Sequence, residues 1–309
     1  MKKIVLVILL IIAFHTTVFA QDTIYVSAKG AKDSLGWSAA EPTRTLSRAL
    51  LQAFLLDTVT KIIIIGTLDD RSEEGNSSNY VFTIADQASN LLEKNFSNKE
   101  IIITGKQNAS SVEKAVLSAK GSNKRVLNIV GVKIRFENIE ISGGSGGNIG
   151  EGLCLRDGAQ VTLGQGALIQ ENFGVGIILS NLGGSVTCII DGGEVRNNRD
   201  SGVFIISGNV TLRSGTISGN TTSQIGGGVC IAGGTFTQDG GTISGNTALK
   251  GGGGVCVGNG TFTQNGGTIN GNAASKAGGG VFVVSGTTFT QNGTVSNNTA
   301  PTGANVARN

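Results

Sequence analysis

Apolar positions recur on a fixed period through the second half of the chain. Val229, Val255 and Val281 each follow a glycine run and stand 26 residues apart. A second apolar position holds Ile141, Ile169, Val195, Ile217, Ile243, Ile269 and Val295, at steps of 28, 26, 22, 26, 26 and 26. Three residues after it come Asn172, Asn198, Asn220, Asn246, Asn272 and Asn298, with Gly144 in the first turn. Inside one period apolar and polar residues alternate two by two, as in strands. The clearest copy reads Val229-Cys230-Ile231, Thr235-Phe236-Thr237 and Thr242-Ile243-Ser244, divided by Gly233-Gly234 and Gly240-Gly241. Glycine provides the positive φ angles of tight corners. Three strands and three corners close one coil, and stacked coils pair each strand with its equivalents. The pattern predicts an all-β fold, a right-handed parallel β-helix with three strands per coil of about 26 residues.

The columns define an expected core. Phe236, Phe262 and Phe289 stack inward, with Val210 and Val186 below them, and Leu153, Ile177, Val203, Val229, Val255 and Val281 form a second inward column. The asparagines are expected to link their amides in a ladder at one corner, like the identical-residue ladders of other stacked sheets. Ahead of the repeats, strands are predicted at Ile24–Val26, Lys61–Gly66, Tyr80–Ile84, Glu100–Thr104, Ala115–Ser118, Arg125–Val130 and Lys133–Phe136. Pro42 is expected to open an amphipathic helix carrying Leu46, Leu50 and Ala53/Phe54 on one face. Such a helix can plug the first coil, whose open strand edges would otherwise invite aggregation. At the far end the polar segment Gly303–Asn309 is expected to fold over the last coil. The organisation expected is a signal peptide over 1–20, an N-terminal cap with irregular coils over 21–137, and regular repeats over 138–309.

The start of the chain sets the compartment. Met1-Lys2-Lys3, an apolar run from Ile4 to Phe14 and Val18-Phe19-Ala20 describe a secretory signal cleaved after Ala20. The apolar run is shorter than the roughly 20 residues a membrane span needs. The mature chain is therefore expected to be secreted, periplasmic or on the cell surface, without a transmembrane segment. Its 49 glycines with only 2 prolines fit neither collagen nor a linker. Charge is close to balanced, so no nucleic-acid partner is indicated. The four cysteines are Cys154, Cys188, Cys230 and Cys256, of which Cys230 and Cys256 hold equivalent positions. Parallel side chains in one column disfavour bridging, so free thiols acting as small apolar fillers are expected.

These residues carry a resemblance. Ile24-Tyr25-Val26-Ser27 with Asp33, Gly36, Pro42, Thr45 and Leu46 resembles the opening segment of secreted right-handed β-helix proteins of the pectin-lyase-like superfamily. The Gly-Gly-Val and Ile-x-x-Asn repeats (Ile243–Asn246) are similar to those of polymorphic outer membrane proteins. The resemblance implies this fold, which carries both enzymes and adhesins.

Candidate chemistry is sparse. The one histidine, His15, lies in the signal segment, which removes histidine-based nucleophilic catalysis from the mature chain. No cofactor and no metal site is indicated. The carboxylate candidates are Asp191, Glu194 and Asp239, with Asp200 and Glu171 near them. A retaining glycosidase needs two carboxyls about 5–5.5 Å apart. The repeat alignment instead puts Asp191, Arg213 and Asp239 in one column, which reads as a structural ion ladder. The glycine runs lack the Lys-Ser or Lys-Thr of a phosphate-binding loop and are read as corners. Two surface features could bind. Cys154, Ile178, Phe204, Cys230, Cys256 and Phe282 share a column expected to face outward as an apolar stripe, unless loops cover it. Thr235/Thr237, Thr261/Thr263 and Thr288/Thr290 flank the inward phenylalanines as a flat threonine array. The function expected is a non-enzymatic exported scaffold for adhesion, or for binding a glycan or a protein. The alternatives are a polysaccharide lyase or glycoside hydrolase, and more remotely an ice-binding protein.

Overall fold

A computed structural model describes residues 22–31, 34–56, 59–69, 80–85, 99–108, 111–112, 114–146, 150–181 and 183–309. The expected signal peptide and Asp33 lie outside the described residues. The chain forms a parallel β-solenoid of about 7 turns, at about 26 residues per turn. Among the described residues no helix is long and apolar enough to cross a membrane.

One face of the solenoid is a nine-stranded sheet running from Tyr80–Ala85 through Arg125–Val130, Leu153–Arg156 and Val229–Ile231 to Val306–Arg308. The other two faces belong to a single 17-stranded sheet. They are joined because Thr187–Arg196 and Asn209–Ser218 each run as ten-residue strands across the corner. Alternate residues on a strand face opposite ways, so Phe236 points in while Thr235 and Thr237 point out. The expected register holds: Val229 pairs with Val255 and Val255 with Val281, while Ile217, Ile243, Ile269 and Val295 follow one another. One continuous core runs from Ile24 to Phe289. In it Phe236 and Phe262 have ring centroids 5.2 Å apart, and Phe262 and Phe289 stack at 4.8 Å. Below Val210 the column is filled by Cys188 rather than Val186. The strand begins at Thr187, so Val186 precedes the register.

The asparagine ladder forms and is fully buried through Asn272. From Asn172 to Asn298 each side-chain amide Nδ2 donates to the Oδ1 of the next asparagine at 2.9–3.0 Å. The same Oδ1 also accepts a backbone N–H from the preceding asparagine at 3.0–3.2 Å. At its start Asn172 Oδ1 accepts from Gly144 N at 2.9 Å. At its end Asn298 donates to Oδ1 of Asn305.

Two expectations about the ends are corrected. The helix, α1, spans Leu46–Leu55, and Pro42 does not open it. Thr43 pairs with Val26 as an isolated parallel bridge, which keeps that segment extended. Thr45 is the N-cap, its hydroxyl accepting from Arg48 N at 3.3 Å. The apolar face then buries Leu46, Ala49, Leu50, Ala53 and Phe54 in the core, against the strands of the first coil. The C-terminal tail does not fold across the coil. Val306–Arg308 pairs with Val281–Val283 because Val306 falls in the inward valine register. Arg308 alone reaches back, its guanidinium 5.9 Å from the Phe289 ring.

Candidate binding faces

The outward threonines stand in registered columns. Thr235, Thr261 and Thr288 are direct neighbours across coils, and so are Thr237, Thr263 and Thr290. The array is larger than the sequence reading proposed. Thr211 extends the second column by one rank. The adjacent face carries a further column of Thr216, Thr242, Thr268 and Thr294. Each of these threonines precedes a core isoleucine or valine, which hides the column in the sequence; its own 26-residue period is the signal that marks it. Adjacent ranks sit about 4.8 Å apart. None of these hydroxyls makes a hydrogen bond within the described residues. Each can donate once and accept twice. The faces are thus rigid grids of hydroxyls open to solvent or a ligand.

The apolar stripe is not an exposed surface. Its column does leave the core, since Cys154 and Ile178 pack in a separate cluster with Tyr80, Val175 and Phe204. But Cys154, Ile178, Cys230 and Cys256 are only 0–6% exposed, and Phe204 and Phe282 are half-buried. The corner chain folds back over the strand. At Gly252 (φ +66°) a Cβ would fall 2.9 Å from the Cα of Cys256, so only glycine allows that approach.

The carboxylates do not form the expected ladder. The register shifts between Ile190 and Asp191 and again before Glu194, so Asp191 faces Ser214 rather than Arg213. Ser214 Oγ donates to Asp191 Oδ1 at 3.1 Å, and Asn265 Nδ2 to Asp239 Oδ1 at 2.8 Å. Glu194 pairs with Arg196 at 3.5 Å on the exposed surface. The expected Asp191–Arg213–Asp239 ion ladder is therefore absent among the described residues; the β-bulge takes Asp191 away from Arg213, and Asp239 is held by Asn265 of the next coil instead. Asp200 is held by the Thr222 hydroxyl. Glu171 adopts φ 53° in a turn. Among the described residues no three His, Cys, Asp or Glu side chains converge as a metal site.

A charged cluster missed in the sequence covers the N-terminal end of the nine-stranded sheet. Arg125 Nη1 and Arg156 Nη2 each donate to the Tyr80 hydroxyl at 3.1 Å, and Arg156 Nε donates to Cys154 Sγ at 3.2 Å. Arg125 also ion-pairs with Glu151, whose side chain is nearly inaccessible. These residues lie up to 76 positions apart, and no local motif links them. Burial pushes the Tyr80 phenol well above its usual value. Burial likewise raises the Glu151 carboxyl, against the lowering effects of its backbone hydrogen bond and of Arg125. A carboxyl raised in the folded state binds its proton more tightly when folded. Its contribution to stability therefore falls as pH rises from the ordinary range near about 4.3 through the folded value. The melting temperature of Glu151→Gln minus that of the wild type should accordingly increase between about pH 4 and pH 7. A difference that shrinks over that range would show that the Arg125 pair outweighs burial.

All four cysteines are free and buried, including the registered neighbours Cys230 and Cys256. Burial pushes the thiols of Cys188, Cys230 and Cys256 up to about 12. The thiolate is the reactive form. Iodoacetamide at about pH 8 should leave these three unmodified in the folded protein and alkylate them after denaturation. Mass spectrometry of the native sample reads the outcome directly.

Compared with known proteins, the chain matches no family model, no curated protein and no solved structure. The class it belongs to is defined by its fold, a parallel β-solenoid.

Proposed function

We propose that this chain is a non-enzymatic, exported binding scaffold whose threonine-lined faces hold an extended glycan. The observation that carries this reading is the grid of registered hydroxyls, none of them engaged within the described residues. A glycan offers a matching run of donors and acceptors along one direction, and a rigid face loses little conformational freedom on binding it. The signal-like start of the chain supports export to the periplasm, the medium or the cell surface. The likeness of the repeats to polymorphic outer membrane proteins supports a role at the envelope. It also keeps a protein ligand as the partner to screen beside glycans.

The test is a glycan panel scored for both binding and cleavage. The double variant Thr237→Val/Thr263→Val keeps the β-branched shape and removes two hydroxyls from the centre of the grid. It should weaken binding by about tenfold, equivalent to about 1.4 kcal/mol, with little change in melting temperature. Cleaved products from the wild type would move the assignment to the lyase or hydrolase alternative, with Asp191, Glu194 and Asp239 as the residues to substitute. The regular registry of the threonine ranks also favours a second reading, ice binding. Thermal hysteresis at micromolar protein, without glycan binding, would establish that reading instead.

A further inference from the structure

At the capped end of the solenoid a cleft of about 580 Å³ opens beside the first strand, lined among others by Lys29, Ser34, Leu35, Trp37, Glu41 and Pro42. Its walls are built rather than incidental. Tyr25 N donates to Gly36 O at 2.7 Å, which ties the loop to strand Thr23–Ala31. Ser34 Oγ donates to Glu41 O at 2.6 Å and accepts from Gly36 N at 3.2 Å, closing the loop on itself. Glu41 N donates back to the Ser38 carbonyl and hydroxyl, both at 3.2 Å. Gly36 stands at φ +73°, where a Cβ would fall 2.5 Å from Tyr25 O. Trp37 is half-buried, packs against the core and lines the cleft.

Two charged groups of the cleft are available to a ligand. Neither the Lys29 ammonium nor the Glu41 carboxylate has a hydrogen bond or ion pair within the described residues. Among the described lining residues they carry one positive and one negative charge, a balance that suits a neutral ligand. Clefts of about 300–1,000 Å³ with an aromatic wall and a few convergent polar groups are the usual form of small-ligand sites.

We propose that this cleft is a saccharide subsite that takes one neutral sugar unit against Trp37. The weakly positive C–H bonds of a pyranose face meet the negative face of the indole. Its hydroxyls are acceptors for Lys29 and donors to Glu41. The stitched loop is already ordered, so binding loses little to loop fixing. The assignment rests on the glycan-scaffold reading and adds to it an end subsite with its own reporter.

Trp37 is the single tryptophan in the chain, so its emission reports on the cleft alone. Full-length mature protein is titrated with neutral gluco-, galacto-, manno- and xylo-oligosaccharides and with uronic-acid oligosaccharides, read by tryptophan emission and by calorimetry. A saturable emission change with a neutral saccharide is expected. Lys29→Met and Glu41→Gln, which leave Trp37 on the core, should each weaken that titration about tenfold or more. Thr237→Val/Thr263→Val should leave it within about twofold. Calorimetric binding undiminished in Lys29→Met and Glu41→Gln, with emission unchanged, overturns the subsite and leaves the scaffold reading standing. No binding by either method overturns both. A clear preference for the uronic-acid series overturns the neutral assignment.

Discussion

Replacing Asn246 with alanine is expected to destabilise the protein by about 3–5 kcal/mol, from two buried donors left unpaired at about 1–3 kcal/mol each and the packing lost with the side chain. Asn246 Oδ1 accepts from both the backbone N and the Nδ2 of Asn220, at 3.0 and 2.9 Å. Its own Nδ2 donates to Asn272 Oδ1 and to the Ile217 carbonyl, each at 2.9 Å. Alanine removes all four bonds and leaves the Asn220 backbone N–H and one of its two Nδ2 hydrogens without partners, the other still donating to the Val195 carbonyl, inside a corner that admits no water at Asn220, Asn246 or Asn272. Buried polar chains of this kind stabilise only when every member is satisfied. Asn246→Asp should be no better, because an ionised carboxylate cannot donate to Asn272 Oδ1. Denaturant unfolding gives the magnitude, and native-state hydrogen exchange shows where the loss falls. Because solenoid coils are coupled to nearest neighbours, protection should drop first in the coils around residues 220 and 272. A loss below about 1 kcal/mol would mean that the ladder marks register without holding the coils together.

Phe262→Ala should cost about 3–5 kcal/mol, the usual range for emptying a buried phenylalanine site. Phe262 is fully buried between Phe236 and Phe289. The strand backbone is held by parallel pairing on both sides, so the coils cannot collapse into the space. Phe262→Leu keeps much of the volume and should cost about 1 kcal/mol. Comparable denaturation midpoints for the two variants would show that the aromatic stack, not the filled volume, is what matters.

The periodic half of the fold was legible because one coil repeats one physical problem. The inward valine, isoleucine and phenylalanine columns and the asparagine ladder all follow from residues that must meet their own copies. The hydroxyl grid was legible for the same reason, although only in part. The misreadings arose where the period is locally broken or where another segment intervenes. The bulge in strand Thr187–Arg196 moved Asp191 away from Arg213. The corner chain near Gly252 covered the apolar stripe.

The sequence by itself determined the coil length, the identity of the inward columns, the ladder and the apolar face of α1, since each depends only on spacing along the chain. Only the tertiary structure decided the remainder: which outward residues stay exposed, how Tyr80, Arg125, Glu151 and Arg156 meet, and that Lys29, Trp37 and Glu41 enclose a cleft. Those outcomes depend on how corners and loops lie over the coils. A bulge or a folded-back loop changes that three-dimensional arrangement without leaving a regular mark in the spacing of residues.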